Sequence, residues 1–480
     1  METAKYTNHA DKTFFSPILL SCVSRLKCLF SIELIGQSFV ETLMLAEKTM
    51  PAAAEKHHIT FFRQSGWMMF AATTSGVLMY AVHFVVSREI PKGEYGVFTT
   101  LLQVVPLLGI PAVGLQPIIA QQQAAAITDE QKRIVAGEFC AVWRVIFFIW
   151  LGIALVAGIF WQQALAGLKI ENSAALALAV LIGLAAMWMP LVMGILQGRQ
   201  DFFWLGWTNI LNGVGRFGLV CLVVLIFHGW AAGAMSAVFF GMLAVIVIGG
   251  WQIRDLWRIK TPPIQWKNWL RRIVPLTFGL GAATFMLSAD MIFTQNFFPR
   301  EQTGFYAAAG TIGRALVFFT QPLTLVMFPK LARSVATGEK SHALELALGA
   351  TLLAGGAAAV ACTLFPWLPL LIVNGKSFLV AAPLVTWFAW CMLPLTLSMV
   401  LVNSLMARSR FAAVPWLVLV AIGYGVALAI VGWHAGNLAD TQAGLRMMIQ
   451  TLGVFNLLLL GVCAWFTWGV KEKTKMAVGR

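Results

Sequence analysis

Five ionisable side chains stand inside apolar runs where an ion has no ordinary place: Arg144, Arg216, Arg314, Arg446 and Asp290. A charge at mid-helix in lipid costs roughly 2.5 to 3.5 kcal/mol, so one that persists there faces a partner or a wet cavity. Arg216 follows Asn209 by seven residues and Asn212 by four, which puts the three on one helical face. That face is either the wall of a central cavity offering a guanidinium to an anionic substrate or an interhelical hydrogen-bond cluster. Arg314 has Gln321 seven residues further on. A guanidinium keeps its charge and holds a phosphate through two parallel bonds, so Arg314 is expected to contact substrate. Arg144 and Arg446 lie nearer their span ends, where a long side chain reaches the interface by snorkelling. Arg144 remains a candidate cavity residue. Asp290, with Thr294 one turn later, is the acidic residue placed well inside a span. A buried carboxylate binds a cation or takes up a proton, which makes Asp290 and Thr294 the expected coupling site for H+ or Na+. The alternative for Asp290 is a structural ion pair with Arg314 or another arginine. Tyr80 and His83 share a polar face with Thr73; His83 either titrates near neutral pH at a cavity or is hydrogen-bonded within the bundle.

The elements that hold these groups follow from composition. The chain is 59% hydrophobic and 11% charged, with a mean hydropathy of +0.79, far from the roughly 25% charged residues of soluble domains. Twelve runs come near the ~20 residues that cross a bilayer core: 66–87, 96–120, 139–161, 173–197, 204–227, 230–252, 273–297, 304–328, 345–373, 379–406, 411–433 and 445–469. The fold class expected is an all-α polytopic membrane protein of 12 transmembrane helices. Pro106, Gly109, Pro111, Gly114 and Pro117 in the second run, and Pro366, Pro369, Pro383 and Pro394 in the ninth and tenth, predict kinks.

The chain repeats itself. Pro91-Lys92 leads to Gly96-Val97-Phe98, and 208 positions later Pro299-Arg300 leads over the same gap to Gly304-Phe305-Tyr306. Gly198-Arg199 with Phe202 recurs 209 positions on as Ala407-Arg408 with Phe411. Duplication of this kind marks a transporter of two six-helix lobes with the substrate site where they meet. The expected organisation is a cytoplasmic or interfacial leader at 1–60, an N-lobe at 61–253, a basic cytoplasmic linker at 254–272, a C-lobe at 273–470 and a cytoplasmic tail at 471–480.

The formal charge of +14 does not point to nucleic acid, because Lys and Arg concentrate in one set of loops. That asymmetry is the positive-inside rule, and it places both termini in the cytoplasm. The densest stretch, Arg254, Arg258, Lys260, Lys267, Arg271 and Arg272, is expected to lie on anionic phospholipid headgroups. Seven cysteines show no ligand spacing, so neither a disulfide framework nor a metal site is expected. Gly213-Val-Gly215-Arg-Phe-Gly218 matches a dinucleotide fingerprint but follows no strand, and close helix packing explains it better. No Walker A, Ser-His-Asp or HExxH pattern is present, and no enzyme activity or cofactor is expected. In residues 1–55, Thr13 to Val23 is too short to span, which leaves an interfacial or disordered leader, or a true start at Met44 or Met50.

Glu94-Tyr95-Gly96, the turn Gly198-Arg199-Gln200-Asp201-Phe202, and the stretch from Asp290 through Gly304-Phe305-Tyr306 to Phe328-Pro329-Lys330-Leu331 resemble polysaccharide (O-antigen type) flippases of the multidrug/oligosaccharidyl-lipid/polysaccharide exporter superfamily. The resemblance covers about residues 62–470. It implies a MATE-like, V-shaped bundle that moves a polyprenyl-diphosphate-linked oligosaccharide across the bacterial inner membrane by alternating access. It also implies coupling at Asp290, motion of the first, second, seventh and eighth helices, and a polymerase or ligase acting on the delivered sugar. The competing readings are a cation-coupled multidrug antiporter of the same superfamily and a membrane enzyme acting on lipid-linked sugars. The antiporter should prefer acidic to arginine-bearing cavities. The enzyme should carry a sizeable outer loop, and the outer loops here are short.

Overall fold

The computed structural model describes residues 52–259, 265–337 and 343–469, and the side chains of 66–257, 259, 265–318 and 344–469. The expected leader up to residue 51, linker residues 260–264, the tail 471–480 and the side chain of Gln321 lie outside the described residues. Every regular element among the described residues is helical. In hydrocarbon each backbone N–H and C=O must be satisfied within its own segment, which is why runs this apolar form helices.

The helices in chain order are α1 (Ala52–Glu89), α2 (Lys92–Leu108), α3 (Leu115–Ala125), α4 (Asp129–Ile159), α5 (Trp161–Gly167), α6 (Ser173–Gly198), α7 (Phe202–Val220) and α8 (Ala231–Gln252). After them come α9 (Trp266–Phe297), α10 (Arg300–Thr337), α11 (Ala343–Leu364), α12 (Trp367–Val373), α13 (Ala382–Ala407), α14 (Val414–Gly436) and α15 (Thr441–Ala464). Ten of the helical stretches among the described residues are long and apolar enough to cross a membrane, and the pair α2 and α3 brings the number to eleven. The remaining expected span, 304–328, falls within α10, whose side chains are described only to residue 318.

Proline and glycine set the breaks. The second span bends by 40° between α2 and α3, where Gly109, Pro111 and Gly114 surround a single 3-10 turn. The ninth expected run does not continue to residue 373; α11 stops at Leu364, Pro366 caps α12, and a new seven-residue helix begins. The linker is also shorter than expected. α9 starts at Trp266, so Lys267, Arg271 and Arg272 belong to its first turns, and Arg254–Arg258 forms a 3-10 turn.

Residues 65–480 cluster as one compact unit, separate from residues 1–64. Within the larger unit α8 packs on α6 and α7, α13 packs on α10, α11 and α15, and α9 packs on α14. The halves meet chiefly where α2 lies against α9 and α10. Two glycines of the decoy fingerprint serve close packing: a Cβ on Gly213 would strike the Ser75 backbone at 2.8 Å, and one on Gly215 would meet the Cα of Gly241 at 3.2 Å. The third, Gly218, has open space around it.

The duplication is visible in backbone conformation. Gln200 (φ 58°) and Ser409 (φ 55°) are left-handed at matched places in the turns after α6 and α13. Lys169 (φ 52°) and Gly375 (φ 87°) do the same after the short helices α5 and α12. Each of these turns carries the chain over from one helix to the next in both halves.

Candidate functional site

Asp290 on α9 and Arg314 on α10 meet in the interior of the second half. Arg314 Nη2 donates to both carboxylate oxygens, at 2.7 and 2.6 Å, Nε donates to the Leu287 carbonyl at 3.1 Å, and the Tyr306 hydroxyl donates to Asp290 Oδ2 at 2.9 Å. The two charged side chains are 2% and 0% exposed. This geometry corrects two expectations at once. Arg314 gives Nη2 to Asp290 and Nε to Leu287, so its guanidinium is anchored in an ion pair in this conformation, with Nη1 buried and without a partner among the described residues. Asp290 in turn presents no free carboxylate to a cation, because three hydrogen bonds converge on its two oxygens. Thr294 donates to the Asp290 backbone carbonyl at 2.8 Å and does not turn toward the carboxylate. The ion-pair alternative for Asp290 is the one this conformation displays.

Arg216 on α7 is different. It has no hydrogen bond or ion pair among the described residues, and its Nε is buried without an acceptor. Its stem lies over Gly241 of α8, where a Cβ would come within 2.7 Å of Arg216 Cγ. Asn212, one turn earlier, is buried with Oδ1 unpartnered among the described residues. Asn209 gives its amide to the Leu205 carbonyl of its own helix at 2.9 Å. The interhelical hydrogen-bond cluster weighed for this stripe is therefore absent among the described residues, and no contact joins Arg216 to Arg314. Arg144 and Arg446 are exposed on the outside of their helices, and Arg144 bonds the Cys140 carbonyl one turn back at 3.2 Å.

Tyr80 and His83 enter a polar cluster that ties the halves together. Tyr80 donates to the Thr311 carbonyl at 2.8 Å, His83 Nδ1 lies 3.1 Å from the Tyr95 hydroxyl, and Asn374 Nδ2 donates to that same hydroxyl at 3.2 Å. Thr311 and Asn374 were not singled out from the sequence. Thr311 sits three residues before Arg314, and Asn374 is a fully buried polar residue at the end of an apolar run; each was readable as a polar position out of place.

Beyond this cluster, at the end of the bundle that holds Lys92 and Arg300, lies a recess of about 660 Å³ lined by Arg88, Lys92, Glu94, Glu171, Arg300 and Glu301 among others. Lys92 pairs with Glu301 at 2.9 Å, and Arg300 pairs with Glu94 at 2.5 Å and with Glu171. The sequence reading used Lys92, Glu94 and Arg300 as marks of duplication and overlooked the pairing.

This arrangement of helices is that of transporters of the MOP superfamily. A multidrug resistance MATE family transporter in its inward-facing conformation superposes with a TM-score of 0.63 at 13% identity, over 82% of this chain and 93% of the other. Lipid II flippase MurJ in an inward closed conformation gives 0.61 at 13% identity, over 84% and 87%. A MOP superfamily transporter from Pyrococcus furiosus, described as having a binding pocket of reversed polarity, gives 0.60 at 14% identity, over 85% and 94%. No curated protein matches in sequence. A family profile does: residues 61–335 match that of the polysaccharide biosynthesis proteins, and the chain belongs to that family. It is a multi-pass membrane protein, helical throughout its described residues, with the fold of those solved transporters.

Proposed function

We propose that this chain flips a polyprenyl-diphosphate-linked oligosaccharide across the bacterial inner membrane by alternating access, with both termini in the cytoplasm. The observation that carries the reading is Arg216: a guanidinium without a hydrogen-bond or ion-pair partner among the described residues, inside an apolar span of a polysaccharide biosynthesis protein. Such a group is expensive to keep in lipid, and a diphosphate arriving between the halves would satisfy it through charge-assisted bonds. Asn212, with its own unpartnered Oδ1, stands one turn away to receive a hydroxyl donor. A drug antiporter that exports cations gains nothing from an uncompensated positive charge at this position. Phosphate contact is assigned to Arg216 alone, because Arg314 is committed to Asp290. No coupling ion is assigned to Asp290 for the same reason. The basic residues Arg254, Lys267, Arg271 and Arg272 would rest on anionic phospholipid at the cytoplasmic face, and the delivered sugar would pass to a polymerase or ligase on the far side.

The test is translocation of lipid-linked oligosaccharide in proteoliposomes. Arg216→Ala should lower the rate at least tenfold while insertion and thermal stability stay near those of the unaltered chain, and Arg216→Lys should recover part of it, since a lysine keeps the charge without the paired donors. A normal rate in Arg216→Ala overturns the assignment.

A further inference from the structure

We propose that the Lys92/Arg300 end is a two-fold latch. In it the duplicated corners of the two halves hold each other shut through reciprocal contacts, and their release is the step that opens this end. The role in transport rests on the function proposed above; the latch itself rests on geometry.

The corners are α1 to α2 and α9 to α10, and Lys92 and Arg300 occupy the same place in each. Each cation crosses to a carboxylate of the opposite corner: Lys92 to Glu301, and Arg300 to Glu94. Arg300 gains a second partner in Glu171, which follows the short helix α5.

A second set of contacts repeats the exchange. The short helices α5 and α12 end with carbonyls that no further turn of helix can satisfy, and the opposite corner satisfies them. Ser87 donates to the Val373 carbonyl at 3.4 Å, and Gln295, 208 positions later, donates to the Leu168 carbonyl at 2.9 Å. Arg88 donates to the carbonyls of Leu371 and Ile372 at 3.1 and 2.8 Å, placing a cation where the α12 dipole favours one. Lys169, also of the first half, donates to the Phe298 carbonyl at the end of α9. Lys169 and Gly375 are the two left-handed residues that end these elbows.

A third contact lies where α2 crosses α10. A Cβ on Gly96 would come 3.0 Å from Gly304 N, and a Cβ on Gly304 would run into the Lys92 carbonyl oxygen. Gly96 and Gly304 are again 208 positions apart. In each kind of contact the residues that reach across sit at equivalent positions, Lys92 and Arg300, Ser87 and Gln295, Gly96 and Gly304, while their partners do not match position for position, so the two copies meet here in an approximate two-fold relation.

The latch is built to release. Glu171 and Glu301 keep 66% and 61% of their side-chain surface in the open, and ion pairs exposed to that degree are individually weak. Only the Arg300 to Glu94 pair is largely withdrawn from solvent. A ligand or conformational change that favours the opened arrangement therefore has several small terms to overcome and no single large one.

The test reads the end directly. Spin labels at Ser173→Cys and Ala439→Cys, both exposed at this end, are placed in full-length protein whose native cysteines are replaced, in lipid nanodiscs. The chain with an intact latch should give one short distance. Arg300→Gln should raise a longer-distance population a few-fold, and Lys92→Glu should raise it less. The exchanged pair Lys92→Glu with Glu301→Lys should return the distribution to the short distance. Should Arg300→Gln fail to insert, the exposed Lys92 pair and its exchange carry the test alone. Distances unchanged in both single variants overturn the latch. If the distances shift as described but the unaltered chain moves no lipid-linked oligosaccharide, the latch stands and the transport reading falls.

Discussion

At the scale of the residue, the buried pair of Asp290 and Arg314 and the unpartnered Arg216 follow opposite rules. Removing one member of a buried ion pair leaves an uncompensated charge and costs about 3–5 kcal/mol, whereas replacing both by apolar groups of similar volume is often neutral. Arg314→Met should therefore lower the melting temperature in detergent sharply, since among the described residues Asp290 keeps only Tyr306 as a side-chain partner. The double variant Asp290→Leu with Arg314→Met should recover most of the loss. A double variant as unstable as the single one would mean that the pair is not a self-contained neutral unit. Arg216→Ala should be nearly silent in the same measurement, because no bond among the described residues is lost with it. The sequence could expose all three charges as misplaced, and it could name Arg314 as one partner for Asp290. It could not choose between partner and substrate. That choice depends on how α9 and α10 rotate against each other, which brings position 290 and position 314 face to face while Gln321 lies three residues outside the described side chains.

At the scale of the element, spans were legible because lipid allows only continuous helix, and their breaks were legible where proline removes a donor. The 40° bend between α2 and α3 falls in the expected glycine- and proline-bearing stretch. The start of α9 at Trp266 was not legible, because Lys267, Arg271 and Arg272 read as linker until their helix is seen to project beyond the apolar run. The motif glycines gain a physical reason that spacing alone did not supply. Gly304→Ala should destabilise the protein by about 1–3 kcal/mol, as overpacking does, because its Cβ would meet the Lys92 carbonyl oxygen in the opposite helix end. Gly152→Ala, with open space around it, should change little, and equal melting temperatures for the two would remove the close crossing. At the other end of the bundle Arg199 bonds Asp255 through two parallel contacts at 3.0 and 2.6 Å. Partial burial would push the Asp255 carboxyl up, but the bonds and charge of Arg199 outweigh it and hold it below the usual carboxylate range. A carboxylate lowered on folding contributes stability above its unfolded value, near 3.8, and loses it as pH falls through the folded value. Asp255→Asn should therefore lower the melting temperature slightly at pH 7, by a few tenths of a kcal/mol for so exposed a pair. The difference should shrink only as pH falls below 3.8 and vanish once it has passed the lower folded value; a difference that persists there would assign the effect to packing.

At the scale of the whole molecule, duplication was the most legible feature and its consequence the least. The repeat at 208 positions announces two related halves, yet the same repeat is compatible with halves parted at either end. What settles it for this conformation is that the equivalent glycines Gly96 and Gly304 meet, and that Lys92 and Arg300 each pair across to the other copy, at the Lys92/Arg300 end. Alternating access requires that this end part once per cycle, so a covalent tie across it should stop turnover without harming the fold. Gly93 offers the position, because its Cβ would lie 3.2 Å from the Cβ of Arg300, so a small separation of the two corners brings the pair into the range of about 3.5–4.5 Å that a disulfide takes. Gly93→Cys with Arg300→Cys should crosslink under mild oxidation, and oxidised protein in proteoliposomes should move lipid-linked oligosaccharide at the background rate. Reductant should restore the rate of the same protein before oxidation. If crosslinked protein keeps translocating, the substrate leaves by a route that does not part this end, and the two halves work by some motion other than alternate opening.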